Sequence, residues 1–194
     1  TAFSSDSQKG TNYSDYEGSI VEGYVHNYKT EIEKMGVEVV EAKLITRDEL
    51  FQIGCEASIN GCKNAPSFIY STSYWSGSAY SSNDVWIVDI HGSFNIATYT
   101  YSNYLGCRPV IVLKKSDIVV NVKPVANGSL DEIGTIVTIG SEQFYVVGTE
   151  NNNVKLLAMH NLHVGNRVEN NGTVLTIINP TGMQSASAKG FLWD

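Results

Sequence analysis

Few residues of this chain carry side chains suited to metal binding or catalysis, and their spacing favours neither. His160 and His163 stand three residues apart, but the first ends a predicted strand and the second lies in a loop, so their imidazoles do not converge on one metal. His26 lies off the apolar stripe of a predicted helix and is expected in solvent. The sequence contains no nucleophile elbow, Walker loop, dinucleotide-binding fingerprint or HExxH motif. We therefore predict that the chain is not an enzyme.

The three cysteines favour an oxidising location. Cys55 and Cys62 lie in the polar segment GCEASINGC, where a short disulfide loop closes easily, and we predict that they pair. Cys107 stands just before an apolar run and is expected to be a buried free thiol that packs as a small hydrophobic residue. No CxxC motif or Cys/His pair surrounds them, so we predict no metal site on cysteine.

Composition narrows the class of protein further. The 194 residues suit one large domain or two small ones that share a sheet. The net charge of −7, with only 13 lysines and arginines, argues against nucleic acid as a partner. No run of eighteen apolar residues occurs, so we expect no membrane insertion, and no signal segment opens the chain. Because residue 1 is Thr, we expect the chain to be part of a longer protein.

The first third of the chain predicts two helices. Ser14 and Glu17 have capping-box spacing, apolar residues then recur with helical period, and Gly36 suits a C-terminal cap, so we predict a helix over about 15–35. Residues 37–45 are β-branched and predict a strand. Thr46 to Glu49 offers a second capping box for a short helix that ends at Gly54.

The rest of the chain predicts short strands separated by turns, with His91-Gly92 as the clearest hairpin turn. Residues 121–133 are interpreted as a linker, and 164–194 as loop with one strand near 174–178. The fold class is therefore α+β with an antiparallel sheet. The predicted strands are 68–70, 74–79, 85–89, 94–100, 108–113, 135–139, 143–149 and 154–160.

One stretch has an unusual composition that predicts recognition. Between Lys63 and Arg108 there is no Lys, Arg, Glu, Gln or Met, and the charged residues are Asp84 and Asp89 alone. Tyrosine gives large contact area at low rotamer cost, and Ser, Asn and Gly give adaptable hydrogen bonds, as in antibody paratopes. Leaving out long charged side chains also avoids the entropy of immobilising them. The aromatic residues concerned are Tyr70, Tyr74, Trp75, Tyr80, Trp86, Tyr99, Tyr101 and Tyr104.

These residues also carry a family resemblance. The segments Tyr74-Trp75-Ser76-Gly77-Ser78, Val85-Trp86, Gly92 and Gly106-Cys107-Arg108-Pro109-Val110-Ile111-Val112 resemble the C-terminal part of a C-type-lectin-like or formylglycine-generating-enzyme-like domain. Over nearly its whole length the chain most closely resembles a domain of unknown function in surface and pilin-like proteins of gut Firmicutes. Cys107 departs from the Val or Phe expected there. The resemblance implies a C-type-lectin-like fold with one long helix, one short helix and antiparallel strands.

Three residues of these segments are interpreted as structural. Trp75 and Trp86 are expected to be framework residues rather than sugar platforms. Arg108 precedes Pro109 in a predicted buried strand, where a guanidinium usually holds a carboxylate or loop carbonyls rather than a substrate.

Some C-type-lectin-like domains are variable proteins of diversity-generating retroelements, in which Asn codons mutate to a restricted set of residues. The runs 80–84 and 89–104 use largely that set, and we interpret them as a variable face that contacts ligand. A plain polar β surface is the alternative. The predicted ligand-binding residues are Tyr80, Ser82, Asn83, Asp84, Asp89, His91, Asn95, Tyr99, Tyr101, Asn103 and Tyr104.

The order of the halves is reversed relative to the resembled family. Residues 1–120 are expected to hold the helical unit and the lectin-like strands, 121–133 the linker, and 134–194 a three-stranded unit that completes the same domain or that of a neighbouring repeat. Circular permutation and a tandem array both remain open. In either case we expect the two ends to meet, within one subunit or between neighbours.

The leading hypothesis is an extracellular adhesin or receptor-binding domain that recognises a protein or glycan on another cell surface. The alternative is a structural repeat subunit of a bacterial surface filament or pilus that self-associates into a fibre. An enzyme related to the formylglycine-generating fold is a weaker third, because Cys107 alone does not supply the paired reactive cysteines. No cofactor is predicted. Calcium on Asp84, Asp89 and neighbouring Asn carbonyls is a weak alternative, because the Glu-Pro-Asn sugar-binding signature is missing.

Overall fold

The computed structural model describes residues 3–4, 14–58, 60–99, 105–121, 124–125, 128–164 and 176–177. It is a mixed α+β structure with two antiparallel sheets and three α-helices. Within the described residues, no helix is both long and apolar enough to cross a bilayer.

Helix α1 spans Ile20–Glu33 and starts later than the predicted residue 15. The helix is capped at the second Ser-x-x-Glu sequence, Ser19 to Glu22. The Ser19 hydroxyl accepts the Glu22 N–H at 3.1 Å, and the Glu22 carboxylate accepts the Gly18 N–H. Ser14 instead donates its hydroxyl to the Ser81 carbonyl, far along the chain. One face of α1 is buried through Ile20, Val21, Tyr24, Val25, Tyr28 and Ile32.

Strand β1, Val39–Leu44, leads into helix α2, Arg47–Gln52, where both bonds of the Thr46/Glu49 capping box form. The predicted strand 68–70 is wrong, because Ser67–Tyr70 forms a 3₁₀ helix. Pro66 starts that turn, and its carbonyl accepts the Ile69 N–H at 2.9 Å. A three-residue apolar run after proline does not distinguish a turn from a strand.

The large sheet has six strands in the order β1-β5-β9-β8-β7-β6. Both halves of the chain share it, because β5 pairs antiparallel with β9 at Val110↔Leu157. The segment 121–133, interpreted as a linker, begins at the last residue of helix α3, which the sequence did not predict, and contains β6, which pairs with β7 at the sheet edge. The remaining bounds are β5 Pro109–Lys114, α3 Lys115–Asn121, β6 Pro124–Val125, β7 Ile136–Ile139, β8 Glu142–Glu150 and β9 Asn153–Ala158.

The small sheet has three antiparallel strands in the order β2-β3-β4, namely Tyr74–Ala79, Asp84–Val88 and Phe94–Thr98. The Gly77 N–H donates to the Ile45 carbonyl at 2.9 Å, which fixes β2 beside the start of α2. A parallel two-stranded pair, β10 His163–Val164 and β11 Thr176–Ile177, completes the elements.

The segment 105–108 joins the small sheet to residues 158–162. Its Gly106 carbonyl accepts the Trp75 N–H at 3.1 Å, and the Cys107 carbonyl accepts the Leu162 N–H at 2.8 Å. Arg108 is fully buried and donates to four carbonyls, among them Ala158 at 2.7 Å. Cys107 is a buried free thiol, and burial raises its pKa to about 12. This segment therefore ties together parts of the chain that are distant in sequence.

Candidate ligand-binding surface

The small sheet has one face in the core and one that reaches the surface. Residues directly opposite each other in paired strands project to the same side. Val85 and Ile87 of β3 are buried in the cluster that contains α1. Trp86, between them, points to the other side, where it stands opposite Ile96 of β4. The outward side is the one that could meet a ligand.

Helix α2 and this outer side together form an aromatic patch, made of Arg47, Phe51, Tyr80, Trp86 and Ile96. The Arg47 guanidinium carbon lies close to two rings, 4.5 Å from the Phe51 centroid and 5.4 Å from that of Trp86. The Tyr80 ring meets Trp86 edge-on at 5.2 Å. Tyr80 is 57% exposed and Ile96 36% exposed. The patch therefore offers apolar side chains and one cation to solvent.

Phe94 supports the patch from the core. Its ring is buried and lies 4.9 Å from Trp86 and 5.8 Å from Phe51, measured between centroids. Each such aromatic pair adds about 0.5–1.5 kcal/mol beyond the burial of its area. The exposed side chains thus rest on a packed base, so their positions are set before any ligand arrives.

Arg47 is positioned by the start of α2. Its backbone N–H donates to the Ser78 hydroxyl at 2.9 Å, which ties the helix to β2. The neighbouring Glu49 carboxylate is held elsewhere, by Lys43 at 2.9 Å and Lys155 at 3.0 Å. Burial raises the pKa of Glu49, but the Thr46 backbone hydrogen bond and the two lysines outweigh it and keep the pKa below its ordinary value. Glu49 therefore stays ionised without pairing with Arg47.

Several predicted ligand residues close the turn between β2 and β3. Ser82 and Asn83 are exposed at its tip. Asp84 is half-buried, and both of its carboxylate oxygens accept hydroxyls, from Ser81 at 2.9 Å and Thr98 at 3.1 Å. Asp84 therefore stabilises the turn between β2 and β3 through both of its carboxylate oxygens.

Asp89 and Asn95 bond to their own backbone neighbourhood. One Asp89 oxygen accepts the N–H groups of His91 at 2.8 Å and Ser93 at 2.9 Å, an Asx turn that closes the hairpin at Gly92. The His91 side chain is exposed on that turn. The Asn95 side chain accepts the Ile96 N–H at 2.9 Å, which covers a donor on the free edge of β4.

The aromatic residues of the charge-poor stretch divide between core and surface. Tyr74 and Trp75 are fully buried, Tyr99 is half-buried against the core, and Tyr80 and Trp86 form the patch. The charge-poor stretch therefore contributes aromatic side chains to both the core and the surface. Tyr101, Asn103 and Tyr104 lie outside the described residues.

Sequence reasoning did not single out Arg47 or Phe51, and it included Ile96 only as part of the run 89–104. Arg47 and Phe51 have the i, i+4 spacing that brings two side chains together on a helix, and this signal was available once α2 was predicted. Their meeting with Trp86 depends on how α2 docks on the small sheet, which no local pattern encodes. In the part of the chain that the structure describes, no three His, Cys, Asp or Glu residues are grouped so as to hold a metal ion.

A disulfide holds the hairpin that carries His91. Cys55 and Cys62 are bonded to each other. The loop between them meets the hairpin through two backbone bonds, from the Cys62 N–H to the Gly92 carbonyl at 2.9 Å and from the Phe94 N–H to the Ser58 carbonyl at 3.1 Å. The base of the patch therefore depends on this loop.

We expect replacement of both cysteines, Cys55→Ser with Cys62→Ser, to lower the free energy of unfolding by about 2 kcal/mol, because the unfolded chain loses a short cross-link. Urea unfolding followed by tryptophan fluorescence measures the change. Dithiothreitol should move the wild-type midpoint to that of the double variant and leave the double variant unchanged. Equal midpoints for all samples would contradict a stabilising disulfide.

Comparisons of the chain with protein-family models, with curated proteins and with solved structures found no match.

Proposed function

We propose that this chain is an extracellular ligand-recognition domain of the adhesin or receptor-binding kind, and that the aromatic patch is its contact surface. The observation that carries the proposal is the clustering of exposed apolar side chains. Five large hydrophobic residues are exposed among those described, and two of them, Tyr80 and Ile96, neighbour Trp86: the Tyr80 ring at 5.2 Å, and Ile96 as the residue opposite Trp86 in the paired strands. Grouped exposed apolar side chains mark interaction sites, whereas single ones are ordinary.

The chemistry of the patch suits binding. Binding hot spots are enriched in Trp, Tyr and Arg, and the patch combines all three. Trp86 and Arg47 are already stacked against neighbouring rings, so little rotamer freedom is left to lose when a ligand docks. The exposed side chains of Ser81 and Thr98 supply hydrogen-bonding groups beside the apolar centre. The Cys55–Cys62 disulfide supports an extracellular location.

We also propose the C-type-lectin-like fold as the finer description of the chain. Support comes from the small sheet, which stands beside the large sheet and a long helix, with Trp75 and Arg108 buried between them. The pairing of β5 with β9 within one chain favours circular permutation over exchange of strands between repeats.

The proposal is tested with two probes, a phage-displayed library of random peptides and an array of glycans. We expect Tyr80→Ser combined with Ile96→Ser to weaken binding of the selected ligand by more than about tenfold, since hot-spot truncations cost 2 kcal/mol or more. Affinity is measured by surface plasmon resonance. The matched control is Val40→Ser combined with Ile133→Ser, which removes equally exposed apolar side chains outside the patch.

Two results would refute the patch as the contact surface. One is a ligand whose affinity falls with the control pair and survives loss of Tyr80 and Ile96. The other is the absence of any selected ligand from both probes. The urea midpoints of both double variants should stay close to that of the wild type, because exposed side chains contribute little to folding.

A further inference from the structure

The two arginines within the described residues differ in whether their guanidinium groups have hydrogen-bond partners. Arg108 donates to four carbonyls and is fully satisfied. Arg47 has no carboxylate within ion-pair distance and no acceptor for its guanidinium among the described residues, and the ion pairs of that part of the chain are all formed by lysines. Arg47 is thus a stacked cation without an anion.

The guanidinium group of Arg47 is also partly shielded from solvent. Its Nε atom is inaccessible to solvent and has no hydrogen-bond partner. The side chain as a whole is half-buried, and its two Nη groups reach solvent. A partly desolvated cation gains more from a nearby anion than a fully hydrated one, because the local dielectric constant is lower. The exposed end of the Arg47 guanidinium is therefore the place in the patch where an anion of a ligand would be attracted most strongly.

We infer that Arg47 anchors a carboxylate of the ligand, and that the ligand is an acidic peptide segment with apolar side chains beside its Asp or Glu. This inference rests on the proposed function of the patch and names its ligand class. A guanidinium offers parallel N–H groups that match the two oxygens of a carboxylate. The Phe51 and Trp86 rings lie 4.5 Å and 5.4 Å from the Arg47 guanidinium carbon, so they restrict the movement of that group in the free protein.

The neighbours of Arg47 favour a peptide over an acidic sugar. A sugar ring needs an open aromatic face, but Trp86 is already in contact with Arg47, Tyr80 and Phe94. The exposed side chains beside it are the Tyr80 ring and the branched aliphatic Ile96, which suit apolar peptide side chains. Asn95 covers the Ile96 N–H on the edge of β4, so the peptide contacts side chains rather than adding a strand.

The net charge sets the expected salt dependence. A chain with a formal charge of −7 repels an acidic peptide at long range, so attraction must come from the short-range contact with Arg47. Added salt screens the long-range repulsion and acts less on a partly desolvated pair. We therefore expect affinity to change by less than about threefold between low and physiological salt.

The test uses a phage-displayed library of random twelve-residue peptides, selected in parallel on the wild type and on Arg47→Gln. Wild type should enrich peptides with Asp or Glu flanked by apolar residues, and Arg47→Gln should not. A synthetic peptide from the wild-type selection is then compared with its Asp→Asn or Glu→Gln counterpart. The neutral counterpart should bind the wild type more than about tenfold more weakly, and both should bind Arg47→Gln equally weakly.

Two further variants separate the anchor from a general charge effect. Arg47→Lys keeps the positive charge but loses the planar fork, and it should also weaken binding of the acidic peptide. Lys34→Gln removes an exposed cation at the C-terminal cap of α1, outside the patch, and should leave affinity unchanged. The urea midpoint of each variant is measured alongside, so that a folding defect is recognised as such.

Each remaining outcome overturns the inference. Selected peptides without acidic residues that still need Tyr80 and Ile96 would refute the carboxylate anchor while leaving the recognition function intact. Arg47-dependent binding of uronic or sialic acid glycans, without acidic peptides, would refute the peptide. Equal affinity of the acidic and neutral peptides for the wild type would refute the ion pair.

Discussion

Arg108→Met should lower the free energy of unfolding by about 3 kcal/mol, because a buried guanidinium that serves four carbonyls is replaced by a side chain with no donor. The four carbonyls differ in whether they keep another hydrogen-bond donor after the substitution. Those of Phe68 and Ile69 keep other donors, the Ser71 hydroxyl at 3.0 Å and the Tyr74 hydroxyl at 2.8 Å. The carbonyls of Ala158 and Met159, which accept from Arg108 at 2.7 Å and 3.2 Å, are expected to carry most of the loss. Urea unfolding with tryptophan fluorescence measures it.

The control for Arg108→Met is Lys114→Met at the end of β5, the strand that follows Arg108. Lys114 is exposed and pairs with Glu38 at 3.3 Å, a surface contact worth little. Its replacement should change stability by less than about 0.5 kcal/mol. A stability loss for Arg108→Met within that same range would show that the four carbonyls do not depend on the guanidinium. Methionine keeps much of the side-chain volume, so the measurement reports mainly the missing hydrogen bonds.

Gly106→Ala should cost about 2–4 kcal/mol, since an added Cβ would lie 2.2 Å from the Asn161 side chain. Asn161 cannot easily yield, because it is 2% exposed and its amide donates to the Thr72 hydroxyl at 2.8 Å and the Ser73 carbonyl at 3.1 Å. Either the backbone of 105–108 shifts or these two hydrogen bonds break. Chemical denaturation measures the loss.

A double-mutant cycle identifies the cause. In an Asn161→Ala background the clash is gone, so Gly106→Ala should cost less than about 1 kcal/mol, a coupling within the range found for touching residues. Gly148→Ala on β8 is the matched control, because the nearest atom to its added Cβ is Lys155 Cδ at 4.0 Å. An equal cost of Gly106→Ala with and without the Asn161 side chain would exclude this contact as the reason for glycine.

The regular elements could be predicted from local patterns because each has a strong one. The Thr46/Glu49 capping box fixes the start of α2, and the β-branched run through Val110 and Val112 gives β5. The start of α1 was missed because Ser14/Glu17 and Ser19/Glu22 have the same spacing. Spacing alone does not say which serine reaches the helix and which reaches the carbonyl of Ser81.

The aromatic patch could be predicted only in part from the sequence, because its side chains come from different elements. Composition predicted Tyr80 as a contact residue, and the structure leaves its side chain 57% exposed. It predicted Trp86 as framework, and the structure shows that Trp86 is half-buried, with the Phe94 ring at 4.9 Å and the Arg47 guanidinium carbon at 5.4 Å. Arg47 comes from a different element, and only the docking of α2 beside β2 brings it to the small sheet. Long-range contacts of this kind leave no periodic signal.

The most direct test of the patch is a chemical-shift map of the ¹⁵N-labelled chain titrated with a ligand selected on the wild type. We predict that the largest shifts occur at the Trp86 indole N–H and at the backbone amides of Arg47, Tyr80 and Ile96. Largest shifts around Val40 and Ile133, with those four groups unmoved, would contradict the assignment of this surface to recognition.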